Sequence, residues 1–261
     1  MTEPGIACRV CGADASYFAT ARVLRRYDVR YYRCVVCRAV QTEQPYWLDE
    51  AYTTALTAAD VGAVQRKIQL AEQAAAIIET HADPAGAFLD YGGGHGLFVR
   101  LMRDKGFNFR WTDHYAANNY AIGFDAPEGQ GGFSLITAFE VAEHLVTPRD
   151  TIRALMGRGD ALLFSTELLP EPVPKPDEWW YYVLAGGQHI TLYAKSTLAV
   201  IAAQLGLRWT TNGRNLHLLT RGPVRPKVFR LLSKYRVARL FNVVRRRRSL
   251  QPTDFEGFTR A

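Results

Sequence analysis

Four cysteines are the residues of this sequence best suited to bind a metal. They form two C-x2-C pairs separated by 22 residues: Cys8, Cys11, Cys34 and Cys37. Two such pairs can supply four thiolates to a tetrahedral zinc ion, and a four-thiolate shell leaves no position for water or substrate. We therefore predict a structural zinc site. Two disulfides or unrelated thiols are the alternatives.

A glycine-rich stretch is the second group with chemical meaning. The string FLDYGGGHGLF, residues 88–98, places four glycines in five positions shortly after Asp90. Three of them form a G-x-G-x-G pattern: Gly92, Gly94 and Gly96. Asp113 follows Asp90 by 23 positions, close to where a ribose-binding acid lies in nucleotide-binding α/β sheets. A dinucleotide fingerprint requires G-x-G-x-x-G instead, so NAD is disfavoured.

The acid, the glycines and the later acid together resemble the first motif of class I S-adenosylmethionine-dependent methyltransferases. In that family the glycine turn passes under the amino-acid half of the cofactor. The acid that ends the second strand takes both ribose hydroxyls, and residues at the position of the FDA string lie beside the adenine. The resemblance implies S-adenosylmethionine as cofactor, bound by this set: Asp90, Gly92, Gly94, Gly96, Asp113, His114, Phe124, Asp125 and Glu140.

The string FEVAEHL, residues 139–145, follows the predicted fourth strand and resembles the quinone-precursor O-methyltransferases. Transfer of a methyl group to a hydroxyl needs a base, and His144 and His189 are the candidates because their places in the chain converge on the acceptor side. Glu143 would support the base, and Glu140 would contact the cofactor side. A structural role for either histidine is the alternative. We see no carboxylate cluster for Mg²⁺, so metal-assisted transfer is not expected.

The segment 168–193 is too long and too aromatic for a simple connection. We interpret it as a lid or acceptor wall, because aromatic faces bind sugar rings; the alternative is that its rings cap the sheet. Its W-x-Y and G-Q-H-I strings resemble bacterial methyltransferases of polysaccharide and natural-product sugar pathways, in which histidines near these positions serve as the base. The predicted substrate contacts are Trp179, Trp180, Tyr181, Tyr182 and Gln188.

The elements that must position these residues predict an α/β fold. A helix, a short apolar strand, the glycine turn, a second helix and a second strand succeed one another in a β-α-β unit. With the resemblance, they imply a Rossmann-like class I methyltransferase core with a seven-stranded sheet, a small zinc-ribbon-like N-terminal domain and a basic helical tail. The predicted parts are 1–44 (zinc module), 45–82 (linker and leading helix), 83–220 (core, with insertion 168–193) and 221–261 (tail).

The positive charge of the chain is concentrated in the tail. The net charge of the 261 residues is +7, but residues 221–248 hold eleven lysines and arginines and no acidic residue. A basic amphipathic helix over 227–235 followed by RRRR suits an anionic membrane surface, a nucleic acid or a helix packed on the domain. Without a signal segment or a spanning apolar run, we expect a cytoplasmic protein with a peripheral contact at the inner membrane face.

The predicted function is O-methylation of a sugar hydroxyl on a glycan, lipid-linked sugar or nucleotide sugar. Sugar C-methyltransferases also carry an N-terminal four-cysteine module, but their extra C-terminal domain has no counterpart here. An RNA methyltransferase is the enzymatic rival, although the Asn/Asp-Pro-Pro-aromatic string of many exocyclic-amine methyltransferases is absent and all four cysteines are assigned to zinc. The non-enzymatic alternative is a binding module with a relic cofactor fold.

Overall fold

Antiparallel strands organise the N-terminal part of the chain. The computed structural model describes residues 5–52 and 61–259. The first elements are β1 (Ile6–Ala7), β2 (Asp14–Val23), β3 (Tyr27–Cys34), β4 (Val40–Thr42) and the short helix α1 (Leu48–Ala51). Strands β2 and β3 contain four tyrosines, a phenylalanine and two valines, residues that favour extended backbone. They pair antiparallel from Ala15 opposite Cys34 to Val23 opposite Tyr27, with a shift of register between Tyr17 and Ala19, and form the largest part of the module's sheet.

Alternating helices and strands follow, as the sequence predicts. They are α2 (Ala63–His81), β5 (Ala87–Tyr91), α3 (Leu97–Asp104), β6 (Asn108–Thr112), β7 (Phe133–Phe139), α4 (Pro148–Arg158), β8 (Ala161–Ser165), β9 (Thr191–Leu192), α5 (Lys195–Leu205), β10 (Arg208–Thr211) and β11 (Leu216–Thr220). Helix α3 begins directly after Gly96, whose φ of +85° only glycine adopts without strain. The sequence places Ile68, Ala71, Ala75 and Ile78 on one face of helix α2, and the helix buries the last three of them, whereas Ile68 is exposed.

The central sheet has the strand order β10-β11-β8-β7-β5-β6. Strands β5 to β8 are parallel, and β10 and β11 are antiparallel to their neighbours. The α/β, Rossmann-like prediction is confirmed. Where seven strands are predicted, the described residues form six, and a single parallel bridge from Trp111 to Asp125 stands beside β6 in place of the seventh. The chain leaves the edge there after one paired residue.

The two faces of this sheet carry different additions. Neighbouring residues of a strand point to opposite faces, and Leu89 and Phe88 of β5 belong to two separate apolar clusters. The cluster around Leu89 includes the buried cysteines together with side chains of α4 and α5. The cluster around Phe88 includes side chains of α2, α3 and the C-terminal helices. The cysteine module and the C-terminal helices therefore lie on opposite faces of the core.

The N-terminal sheet does not end with its own strands. Strand β9, which belongs to the segment 168–193, pairs with β4 and completes a five-stranded sheet of order β1-β2-β3-β4-β9. The ring nitrogen of Trp47 also donates to the carbonyl of Gly187 at 2.8 Å. The predicted zinc module and the predicted acceptor insertion thus share one sheet, with a common apolar cluster around Trp47.

The tail forms three helices that pack on the domain. They are α6 (Pro226–Leu232), α7 (Tyr235–Val244) and α8 (Gln251–Thr259). The single helix predicted over 227–235 is interrupted at Ser233, which follows the last residue of α6 and whose hydroxyl donates to the carbonyl of Phe229. Asp254 of α8 accepts paired bonds from Arg103 of α3 at 2.9 and 2.6 Å. None of the helices in the described part of the chain is long and apolar enough to cross a bilayer.

Candidate functional site

The four cysteines converge as predicted. All four are free thiols, and their sulfur atoms lie within 4.8 Å of one another. The two shortest contacts are 3.6 Å, from Cys8 to Cys37, and 3.5 Å, from Cys11 to Cys34. A disulfide would need about 2.05 Å, whereas thiolates placed tetrahedrally about 2.3 Å from a zinc ion lie roughly 3.8 Å apart. The geometry therefore fits a metal shell rather than two disulfides.

Helix α5 holds the cysteine cluster against the core. The hydroxyls of Ser196 and Thr197, in its first turn, both donate to the carbonyl of Cys37, at 2.9 and 2.8 Å. Further along the same helix, the amide of Gln204 donates to the carbonyl of Cys11 at 3.2 Å. One element of the core therefore holds both cysteine pairs.

The glycine turn leaves the end of β5 with a bare backbone. Gly92, Gly94 and Gly96 all have positive φ. A Cβ atom on Gly93 would approach Asp90 Oδ2 to 2.8 Å, while the side of Gly94 faces open space. A side chain on Gly94 would occupy that space, so glycine at this position keeps a cradle free for a ligand against the main chain.

Asp113 connects the glycine turn to the end of β6. Its carboxylate accepts the backbone N–H of Gly94 at 2.8 Å, and those of Tyr115 and Ala116 at 2.7 and 2.8 Å. Three amide bonds hold the carboxylate in one orientation beside the cradle. The two sequence motifs, 23 residues apart, are thus joined by one hydrogen bond. Asp113 retains acceptor capacity for a ligand hydroxyl, since each carboxylate oxygen has two lone pairs.

Asp90 is a buried carboxyl with one oxygen unpaired. It is 1% exposed. Its Oδ1 accepts the hydroxyl of Thr137 at 2.6 Å, whereas Oδ2 has no protein partner among the described residues. Burial raises the pKa of Asp90 to about 6. A buried unpaired acceptor next to the open backbone of the glycine turn fits a ligand that brings a hydrogen-bond donor, as the amino-acid half of S-adenosylmethionine would.

The two residues predicted to lie beside the adenine have different surroundings. Asp125 is exposed, near Asn118, and it lies at the single bridge to Trp111. The ring of Phe124 has the guanidinium of Arg103 3.7 Å from its centre and the ring of Phe258 edge-on at 5.4 Å. These contacts show that Phe124 faces α3 and α8. Asp125, the next residue, is exposed instead.

The other two predicted cofactor residues lie at the surface. His114 is exposed, edge-on to the ring of Tyr115. Glu140 follows β7 with φ of +59° and pairs with Arg66 of α2 at 3.1 Å. A residue other than glycine in this conformation at a strand end marks a position where tertiary contacts overrule local preference.

Glu143 is the buried acid on the acceptor side. It lies in a 3₁₀ turn, Ala142–His144, just after β7. Its Oε1 accepts the hydroxyl of Tyr181 at 2.5 Å, and Oε2 has no partner among the described residues. Burial raises the pKa of Glu143 to about 7. The carboxyl can therefore change charge near neutral pH.

The two candidate histidines meet beside Glu143. Their rings lie edge to face with centres 4.9 Å apart. Nδ1 of His189 donates to the carbonyl of Tyr181 at 2.6 Å, which leaves Nε2 with a free lone pair. His144 has its Nδ1 3.2 Å from the hydroxyl of Tyr52 and bonds the backbone of Gln188 as well. Burial lowers the pKa of His189 to about 4, and burial with the neighbouring His189 lowers that of His144 to about 3.

The aromatic segment divides into two parts. Trp179 and Trp180 line a cleft of about 560 Å³ together with Glu167, Lys195 and Arg214. The side chain of Trp180 is 69% exposed. An exposed indole next to polar side chains of both charges is the arrangement expected of a wall that binds a polar ring.

Tyr182 and Gln188, both predicted to contact substrate, have structural partners instead. The ring of Tyr182 is buried edge-on against Tyr31, and its hydroxyl donates to the carbonyl of Pro174 at 2.9 Å. The amide of Gln188 donates to the carbonyl of Ala51 at 2.7 Å. Tyr182 therefore has the capping role that was the alternative for these aromatics. The reason is the N-terminal sheet, which covers this side of the segment.

A methyltransferase-domain family model matches residues 63–212, more than half of the chain. The chain belongs to this methyltransferase family. The prediction of a methyltransferase is thereby confirmed at the level of the family. The matched residues contain the glycine turn, Asp113 and both candidate histidines, whereas the cysteine module and the whole tail lie outside them.

One solved structure, TnmH, shares the fold of this chain, and others are similar to it at lower scores. The structure of TnmH is 19% identical, with a TM-score of 0.51, over 69% of this chain and 62% of that chain. An O-methyltransferase family protein from Burkholderia thailandensis is 14% identical, with a TM-score of 0.46, over 69% of this chain and 68% of that one. The chain thus spans less than two thirds of TnmH. No curated protein matches the sequence.

Two tyrosines of the methyltransferase site are absent from the sequence-based prediction. Tyr52 bonds His144, and its ring stacks on Tyr115 with centres 4.5 Å apart and planes 5° from parallel. Tyr115 in turn follows Asp113 by two residues. These two rings connect the acceptor side to the cofactor side. The sequence offers no signal for Tyr52 beyond its aromatic character in a linker.

The acceptor side also contains a group that could hold a metal ion. One ligand atom from each of Glu143, His144 and His189 lies within 4.8 Å of the other two. Two imidazoles and one carboxylate form a common donor set for divalent transition metals. The sequence does not reveal this group, because only one of its members is a carboxylate and His189 lies 45 positions after His144.

Proposed function

We propose that this protein transfers the methyl group of S-adenosylmethionine to a hydroxyl of a sugar, with His189 as the general base. The observation that carries the proposal is the fixed tautomer of His189. Its Nδ1–H is held by the carbonyl of Tyr181 at 2.6 Å, so that Nε2 is available to accept a proton. The ring of His144 interacts with both the hydroxyl of Tyr52 and the backbone of Gln188, and no such bond fixes Nδ1 as the donor, which makes His144 the weaker candidate.

The residues of the glycine turn are suited to hold the cofactor. The open side of Gly94 and the unpaired Oδ2 of Asp90 would receive its amino-acid half, and Asp113 would accept its ribose hydroxyls. When bound, S-adenosylmethionine supplies an electrophilic methyl group on a positively charged sulfur. The protein then has to orient the acceptor hydroxyl in line with that methyl group and remove its proton.

His189 and Glu143 divide the proton chemistry between them. The bound cofactor would supply the methyl carbon to the acceptor oxygen and would keep the electron pair of the carbon–sulfur bond on its sulfur. The hydroxyl proton passes to Nε2 of His189, which becomes an imidazolium. Glu143 ionises near pH 7 and lies within reach of this ring, so its carboxylate stabilises the positive charge. Turnover should therefore rise with pH through neutrality.

A sugar is the acceptor class that the neighbouring cleft favours. Trp179 stands next to Tyr181, with ring centres 5.3 Å apart, so the cleft of Trp179 and Trp180 borders the His189 site. An indole face suits the apolar face of a pyranose, and the charged groups of Lys195, Arg214 and Glu167 suit its hydroxyls. Trp180→Ala should raise the KM for the acceptor and leave kcat nearly unchanged.

The cysteine module is proposed to hold one structural zinc ion. Its four sulfurs would complete the shell, so the zinc would stabilise the N-terminal sheet and take no part in the chemistry.

Binding of S-adenosylhomocysteine and turnover test the proposal in two separate steps. Calorimetry should show binding to the wild type and to His189→Ala, and much weaker binding to Asp113→Ala. Turnover, followed with a panel of nucleotide sugars and glycans, should be lost in His189→Ala and reduced less in His144→Ala. Full turnover in His189→Ala would remove the base assignment. Failure of the wild type to bind the product would remove the cofactor site.

A divalent cation at Glu143, His144 and His189 is the second candidate for activating the hydroxyl. The unpaired Oε2 of Glu143 is the specific observation in its favour, since a ligand ion would satisfy it. Turnover after treatment with a chelator, followed by addition of Mn²⁺, Fe²⁺ or Co²⁺, distinguishes the two candidates. If the added ion restores turnover while the zinc content stays constant, a bound cation and not the free base activates the hydroxyl. If turnover is unchanged after chelation, the cation is excluded.

A further inference from the structure

Helix α7 has two faces with different surroundings. On the inner face, Ala238 is fully buried, and Val237 and Phe241 pack on the apolar cluster of α2 and α3. Asn242 donates to the backbone carbonyl and to the carboxylate of Glu72 on α2. This inner face accounts for the packing of the helix on the domain, so the residues on its opposite side are free for another role.

The outer face of α7 exposes aliphatic side chains in an unusual number. Leu240, Val243 and Val244 are 67%, 70% and 79% exposed. Leu240 and Val243 share a helix face with Arg236 and Arg239, since residues three and four apart are neighbours on a helix. All of these side chains are exposed, and Arg245 and Arg246 follow at the end of the helix. Apolar and basic groups therefore alternate on one accessible surface.

The charges of this surface lack acidic neighbours. Residues 221–248 contain no Asp or Glu. Within the described residues, Arg247 pairs with Glu79, but Arg236, Arg239, Arg245 and Arg246 form no ion pair. A surface with this charge is complementary to an anionic partner.

The aliphatic side chains decide which anionic partner fits. Proteins that bind single-stranded nucleic acids stack bases on aromatic rings, and the outer face of α7 presents none. A helix in the membrane interface instead places aliphatic side chains among the acyl chains and arginines among the phosphates. We propose that the outer face of α7 binds the surface of an anionic lipid bilayer. This inference does not depend on the proposed methyl transfer.

Vesicle sedimentation with the full-length protein tests this surface. The protein should pellet with vesicles of phosphatidylcholine containing roughly a third phosphatidylglycerol, and not with phosphatidylcholine alone. Each arginine near such a surface contributes about fivefold in partitioning. Arg236→Gln combined with Arg239→Gln should therefore weaken binding about 25-fold. High salt should also weaken binding, because it screens the charges of the arginines and of the lipids.

A matched pair of variants separates an effect at the outer face of α7 from a general effect of the added negative charge. Val243→Asp should weaken vesicle binding about tenfold, because it removes an inserting group and adds a negative charge. Val36→Asp makes the same change at a 57% exposed valine of the cysteine module, on the opposite side of the sheet, and should bind like the wild type. Circular dichroism and S-adenosylhomocysteine binding should be unchanged in both variants.

Three outcomes would overturn the inference. They are absence of pelleting with the anionic vesicles, equal weakening by Val36→Asp and Val243→Asp, and self-association through α7, seen as a wild-type dimer that Val243→Asp converts to a monomer. A further outcome would also contradict the inference. If RNA at stoichiometric concentration releases the protein from the vesicles, the partner of this face is a nucleic acid and not a bilayer.

Discussion

The cysteine module and the C-terminal helices are both additions to the methyltransferase core, yet they are attached in different ways. The module shares a sheet with β9 and an apolar cluster with the acceptor segment. The C-terminal helices lie on the other face, where α7 packs on α2 and α8 is fastened by the paired bonds between Asp254 and Arg103. One addition is built into the site, and the other leaves a basic apolar face exposed.

This difference shows how an addition can participate in a site without supplying a reacting group. Tyr31 of the module supports Tyr182, Trp47 fastens Gly187, and Tyr52 reaches His144. The first two contacts fall on the segment that carries His189, and the third falls on His144, in the turn after β7. Trp47 and Tyr52 belong to the linker that directly follows the module. The C-terminal helices reach the predicted adenine side through Phe258, which packs against Gly123 and Phe124. Loss of the module should therefore damage the acceptor side, whereas loss of α8 should affect the cofactor side.

The largest effect should come from breaking the cysteine cluster. Cys8→Ser should abolish stoichiometric zinc and lower the free energy of unfolding by several kcal/mol, because structural zinc contributes on the order of 10 kcal/mol to isolated modules. Metal analysis and thermal melting measure both. Val35→Ser, at an exposed valine between the second pair of cysteines, should keep zinc and stability. Wild-type melting in a zinc-free Cys8→Ser protein would show that the module needs no metal.

The next effect concerns the attachment of α8. Asp254→Asn leaves the buried guanidinium of Arg103 without its counter-ion and should cost about 3 kcal/mol, because both side chains of the pair are largely buried. Urea denaturation measures this cost. The exposed Asp177→Asn should change nothing, and an equally stable Asp254→Asn would mean that the ion pair does not hold α8 in place.

The same ion pair predicts a pH dependence. Although burial opposes it, the hydrogen bonds from Arg103 and Arg100 lower the pKa of Asp254. Because the folded pKa lies below that of the unfolded chain, the stabilisation is complete above about pH 4 and disappears as the pH falls through the folded value. The difference in stability between wild type and Asp254→Asn should therefore shrink in acid.

A smaller effect should measure the contact between the module and the acceptor segment. Tyr31 and Tyr182 lie edge to face at 5.4 Å, and such a pair is worth about 1 kcal/mol beyond its burial. A double-mutant cycle with leucine at both positions should give this coupling energy. The cycle of Tyr182 with Phe229, on the opposite face, should give none. Equal coupling in both cycles would mean that the module and the segment are not specifically joined.

The smallest effect is expected on the outer face of α7. Val243→Asp should change the free energy of unfolding by less than about 0.5 kcal/mol, since the side chain is largely exposed. Ala238→Asp, on the inner face of the same helix, should be strongly destabilising because it buries a charge in the apolar cluster. Strong destabilisation by Val243→Asp would show that the outer face is already covered.

Much of the cofactor side and of the cysteine cluster could be predicted because their rules are local. The C-x2-C pairs set which sulfurs can reach one ion, and the glycines set where the backbone takes positive φ. Asp113 follows from the length of one helix and one strand. The same reasoning could not foresee the protein contacts of Tyr182 and Gln188, because an aromatic or amide side chain in a loop looks the same in sequence whether it faces a ligand or a neighbouring strand.

The amino-acid sequence alone thus determined the α/β core, the cysteine cluster and the turn with Asp90 and Asp113. The tertiary structure decided which residues meet across long separations: β4 with β9, Tyr52 with His144, and Asp254 with Arg103. It also decided which face of α7 remains exposed. The physical reason is that backbone conformation follows from nearby residues, whereas burial and pairing depend on what the rest of the chain places against each side chain.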